Sequence, residues 1–146
     1  MKKLSAFVIL FVLLATFTGW GFAAQETNYI VIVHPDNASS TLSKGKISQL
    51  LLKKSSRWDD GSSAEPVDLD AKSPTREAMS RDVHGRSVNS IKSYWQRQIF
   101  SGRSVPPPEV GSDADVVAFV SSHPGGIGYV SASASLSGVK AITVTD

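Results

Sequence analysis

Between Tyr29 and Val144, short β-branched apolar runs alternate with segments that open on helix-start residues, which restricts the fold to helices packed on a sheet. Tyr29–Val33 reads as a buried strand, ended by the His34-Pro35-Asp36-Asn37 turn. After a loop holding Ser39, Ser40 and Thr41, Ser43 can cap a helix that turns Ile47, Leu50 and Leu51 inward. Lys53 and Lys54 are expected in its last turn, where the helix dipole favours cations. Residues 55–61 read as an exposed turn around Asp60-Gly61, with Trp58 covering apolar surface, and residues 66–70 as a second strand. Ser73-Pro74 starts a helix with Ala78, Met79 and Val83 inward, ended by Gly85.

Ser87 opens the next helix, in which Val88, Ile91, Trp95 and Ile99 recur at helical spacing and are expected in the core. Ser101-Gly102 stops it, and Pro106-Pro107-Pro108 forms an extended connector. Ser112 and Asp115 have capping-box spacing ahead of Val116, Val117, Phe119 and Val120. The His123-Pro124-Gly125-Gly126 stretch ends that helix, and residues 127–130 and 139–144 read as two last strands.

Residues 1–23 carry the marks of a secretory signal peptide: Lys2 and Lys3, an apolar run over residues 6–17, then the small residues Gly21, Ala23 and Ala24. Cleavage is expected after Ala23, or one residue to either side. The competing reading, a membrane anchor, lacks the roughly 20 apolar residues a span requires. Residues 24–146 would then be one periplasmic domain, with no membrane insertion after cleavage. Lys2 and Lys3 account for the whole formal net charge of +2, so that domain is neutral and has no basic stripe for nucleic acid. The chain has no cysteine, which excludes thiol chemistry and leaves packing alone to hold the fold.

No catalytic constellation emerges. His34, His84 and His123 lack metal-ligand spacing, and no serine sits in a G-x-S-x-G elbow. No metal, no cofactor and no enzymatic activity are expected. The best local candidate is Ser73-Pro74-Thr75-Arg76, where free N–H groups at a helix start, two hydroxyls and a cation make an anion-binding arrangement. The same residues also make an ordinary helix cap.

The chain resembles the phosphate-binding family of periplasmic solute-binding proteins in a short, single-domain form. Residues 31–37 with Leu42-Ser43 are similar to that family's strand, turn and Leu-Ser helix start, Trp58-Asp59-Asp60-Gly61 to its Trp-and-Gly turn, and residues 73–79 to its Gly-Ser-Gly-Thr-Arg segment. Ser93-Tyr94-Trp95 through Phe100-Ser101-Gly102 adds to the match, as does Pro124-Gly125-Gly126-Ile127-Gly128-Tyr129-Val130, which is similar to a Pro-Gly-Ala-Ile-Gly-Tyr-Val signature. The resemblance implies an α/β fold, a single small periplasmic-binding-protein-like domain with helices packed on a mixed sheet, like one lobe of a two-lobed binding protein.

It also implies a non-enzymatic protein that binds phosphate or a related oxyanion for transport or sensing, with an envelope transporter or receptor subunit as partner. Ser73, Thr75 and Arg76 carry over as ligand-binding residues. Leu69, Asp70, Ala71 and Lys72 stand where the family commonly has an Arg and an acid, and Pro74 replaces its second Gly. The resemblance further implies that the family's first lobe is missing. A domain that kept the fold and lost the ligand, docking on an envelope transporter or receptor, is the alternative reading.

Overall fold

The computed structural model describes residues 28–146; the expected signal peptide, residues 1–23, lies outside the described residues. Seven strands and four α-helices are described, in the order β1 (Tyr29–Val33), β2 (Thr41–Ser43), α1 (Lys44–Leu51), β3 (Glu65–Pro66), β4 (Asp68–Leu69), α2 (Pro74–Met79), α3 (Val88–Phe100), β5 (Glu109–Val110), α4 (Asp113–Ser122), β6 (Gly126–Ser131) and β7 (Lys140–Thr145). Five strands form one mixed sheet in the order β2-β7-β1-β6-β3. The expected α/β fold, with helices on a mixed sheet, is what the chain adopts.

Position in the sheet explains the apolar run of β1. It is the central strand, antiparallel to β6 with Val31 opposite Tyr129, and antiparallel to β7 with Ile32 opposite Ala141. A strand flanked on both sides and covered on both faces carries little alternation, and Val31, Ile32 and Val33 are all buried. Helix α4 lays Val116 and Val120 on β6. Glycine is required there, because a Cβ on Gly128 would come within 2.8 Å of both Val116 and Val67.

Four serines read from the sequence as caps perform that role. Ser43, Ser73, Ser87 and Ser112 accept hydrogen bonds from the N–H groups of Lys46, Arg76, Ser90 and Asp115. Trp58 is buried, with its indole N–H on the Gly125 carbonyl at 3.0 Å.

Three expectations need correction. Lys53 and Lys54 lie past the end of α1, which stops at Leu51; Lys53 takes a left-handed φ of 53° as the chain turns away. The strand expected over residues 66–70 is two short pieces, β3 pairing with β6 and β4 with β5, because the chain changes sheets at Val67. Ile99 is 52% exposed, since α3 runs on past the surface it packs against. Trp95 is buried as expected, but with Leu52 and Ile91 in a small cluster separate from the main core, and Tyr94 packed beside them.

The described residues form one main apolar cluster and one small one, and every buried side-chain nitrogen or oxygen among them has a hydrogen-bond partner. Among the described residues no helix is long and apolar enough to cross a membrane.

Candidate functional site

The start of α2 is built by local chemistry. Asp70 closes a tight turn, its carbonyl receiving the Ser73 N–H at 2.9 Å and its side chain the Lys72 N–H at 2.8 Å. Ser73 then takes an extended conformation and caps the helix, with Pro74 at the first helical position, where a missing N–H costs nothing.

One turn along, Arg76 turns inward and is only 3% exposed. Its Nη1 donates to the Leu69 carbonyl and the Glu109 carboxylate, each at 2.7 Å, and its Nη2 lies 3.2 Å from the Asp68 carboxylate. Asp68 is itself buried. Its other oxygen accepts from the Tyr129 hydroxyl and from the Leu69 N–H at 3.1 Å. The pairing of β4 with β5 brings Asp68 opposite Glu109, so strands far apart in sequence deliver both carboxylates to one guanidinium.

Burial dominates the electrostatics of this group. It raises Asp68 above the ordinary carboxylate range, with the Arg76 charge pulling the other way. Burial also raises the Tyr129 hydroxyl, and the Asp68 charge pushes it further. For Arg76 burial alone would lower the pKa, but Asp68 and Glu109 more than offset it, so the guanidinium stays a cation. Glu109 is the partner that reaches water, with its side chain 46% exposed.

The structure thus places Ser73, Thr75 and Arg76 on one turn, with Ser73 and Thr75 half-buried. It joins the Ser73 hydroxyl to the Arg76 backbone at 3.3 Å, while the Arg76 fork points to Asp68 and Glu109. Sequence reasoning missed Asp68, Glu109 and Tyr129 as its companions. The available signal was an acid between two apolar residues, Asp68 between Val67 and Leu69.

A second buried polar contact lies nearby. The helix widens into a π turn over Ser80–His84, closed by Gly85 at φ 64°, and the His84 Nδ1 meets the Ser48 hydroxyl at 2.8 Å. Burial, then the charges of Arg76, Arg86 and Lys54, push this imidazole down to about 4, so it is neutral near pH 7. Among the described residues no cluster of His, Cys, Asp or Glu could hold a metal. A shallow depression of about 400 Å³ between the β1–β2 loop and Gly125 is lined by Asp36, Asp60 and Glu65, the wrong sign for an anion.

No family model and no curated protein matches the chain. Solved structures do. A Clostridium perfringens protein assigned as a phosphate ABC transporter substrate-binding protein, solved with bound phosphate, is 20% identical over 80% of this chain and 44% of its own, with a TM-score of 0.65. An ABC-type phosphate transport receptor from Vibrio cholerae is 16% identical over 80% and 46%, with a TM-score of 0.63. PstS from Borrelia burgdorferi is 17% identical over 82% and 47%, with a TM-score of 0.57. The chain therefore has the fold of a single lobe of a periplasmic binding protein. Within that class the fold is PstS-like, and the chain spans less than half the length of the structures it matches.

Proposed function

We propose that this chain is an exported, non-enzymatic solute-binding-like protein, made with a leader over residues 1–23 and working in the periplasm as residues 24–146. Its ligand is phosphate or a related oxyanion, held at the start of α2 by Ser73, Thr75 and Arg76. One observation carries the reading: the buried Arg76 guanidinium already holds an oxyanion from the solvent side, the half-exposed carboxylate of Glu109. A ligand that displaced Glu109 would meet a charged donor already oriented by Asp68 and the Leu69 carbonyl, with Ser73 and Thr75 on the same helical turn. Displacement costs affinity, and so does a site covered by one lobe, since donors converge from one side only. An envelope transporter or receptor subunit fits as the surface that completes it.

The test is calorimetry of residues 24–146 with phosphate and sulfate, comparing wild type with Glu109→Gln. Each hydrogen bond to a charged group contributes about 1.5–3 kcal/mol, so freeing Arg76 should tighten binding by about tenfold or more. Ser73→Gly with Thr75→Val should abolish it. Intact-mass measurement on the exported protein should find the chain starting within a residue or two of Ala24.

The same contacts favour a second reading. With Asp68 and Glu109 both on Arg76, the cation is fully neutralised inside the fold, as in a domain that docks on a partner and needs no ligand. If neither wild type nor Glu109→Gln takes up an anion, that reading stands.

A further inference from the structure

We propose that the tip of α3 is a peripheral docking surface for anionic phospholipid membranes. Ile99, Phe100 and Val105 are 52%, 93% and 62% exposed, and these are the large apolar side chains left in water among the described residues. All three fall within seven residues, at the C-terminal end of α3 and in the segment just after it. Single exposed hydrophobics are ordinary, but apolar side chains gathered in one segment mark an interaction site.

The tip is rigid. At the end of α3, Gly102 takes a left-handed φ of 67°, its N–H donates to the Ile99 carbonyl and that of Arg103 to the Gln98 carbonyl. The Ser101 hydroxyl adds a bond to the Arg97 carbonyl at 2.8 Å. Phe100 is held outward by a completed helix cap.

The charge around it has one sign. Residues 88–108 hold Lys92, Arg97 and Arg103 and no Asp or Glu. Among the described residues none of the three forms an ion pair. Arg97 precedes Phe100 by three residues and Lys92 by eight, so both share the exposed side of the helix with it, and Arg103 follows just past the cap. Arg97 and Arg103 also suit the negative end of the helix dipole. That does not account for Lys92, nor for three apolar side chains in water.

An apolar tip with a cationic collar fits an acidic lipid surface, where the tip enters the headgroup boundary and the cations meet lipid phosphates. A stable protein interface uses about 20–30 residues a side with matched shape. Three exposed apolar residues fall far short of that, and a fluid surface accepts so small a contact where a shaped partner does not.

The test is vesicle flotation with residues 24–146, which omit the apolar run of residues 6–17. The probes are vesicles of phosphatidylcholine alone and vesicles with about one third phosphatidylglycerol, an anionic fraction that sets up a negative surface potential. Binding is expected to the anionic vesicles only, and to weaken as salt rises. Arg97→Gln with Arg103→Gln should weaken it about thirtyfold, from about fivefold for each cation. Phe100→Ser should weaken it about tenfold or more, from the apolar area it no longer buries. Unchanged melting temperatures would confirm that both variants are folded. Absent binding, equal binding to both vesicle types, or unaltered binding by the variants overturns the proposal. So does a concentration-dependent dimer dissolved by Phe100→Ser without any vesicle binding, which would make the tip a contact between copies.

Discussion

The sheet and helix α3 are stabilised in different ways within one small domain. In the sheet β1 is covered on both faces and paired along both edges, and β6 is buried along most of its length against α4. Helix α3 is longer than any other helix described, yet it anchors through Val88, Ile91 and Trp95 and leaves its far end in water. Length and capping make a helix; they do not make it part of the core. The sheet should therefore open only with the whole domain, whereas α3 can loosen by itself, as elements with few buried contacts do.

Three measurements can break or sharpen this contrast. The largest effect is expected at the polar group beside the sheet. Asp68→Ala leaves Arg76 short of a buried partner and should cost about 3–5 kcal/mol, read as an early loss of the entire domain in denaturant. A small shift would mean that Glu109 alone suffices for Arg76.

Trp95→Ala comes next. Truncating a core aromatic costs about 3–5 kcal/mol, and a site on a small outlying cluster should fall at the lower end because it can collapse. The informative readout is where amide exchange quickens: across α3 if the helix is an independent unit, throughout the sheet if it is not.

The smallest effect is expected at the π turn that leads towards α3, where His84 contacts Ser48 of α1. Its imidazole is pushed down to about 4 in the fold and titrates near 6.5 when unfolded, so the unfolded chain binds more protons between those values. Stability from this group is complete above pH 6.5 and is lost as pH falls towards 4. Each tenfold change in proton affinity is worth about 1.4 kcal/mol, so the loss is at most about 3 kcal/mol. His84→Asn keeps a partner for Ser48 and should flatten that stretch of the stability profile; an unchanged slope would place the acid sensitivity elsewhere.

How much of this was legible in the sequence depended on how far apart the cooperating residues lie. Caps and apolar spacing are local, and the four helix starts at Ser43, Ser73, Ser87 and Ser112 were readable from them. Strands β2 and β5 were not, because segments of three and two residues become strands only through partners distant in the chain. Ile99 was misplaced because periodicity identifies the inward face of a helix and not how far its packing surface extends. Ser73, Thr75 and Arg76 were found as a local group, whereas Glu109 reaches Arg76, and Tyr129 reaches Asp68, only through the β4–β5 pairing and the placing of β6.

The strand order β2-β7-β1-β6-β3 has a consequence in time. A ribosome delivers β1 and β2 early, but the slot between them belongs to β7, which joins β1 at Ile32–Ala141 and β2 at Leu42–Val144. Until that stretch has emerged, β1 lacks a partner along one edge and β2 lacks its strand partner altogether, and no early stretch of chain can finish the sheet alone. Domains usually fold as units once their parts are available. This one must wait for β7, so its sheet closes in one late step, when a strand distant in sequence enters between two early ones.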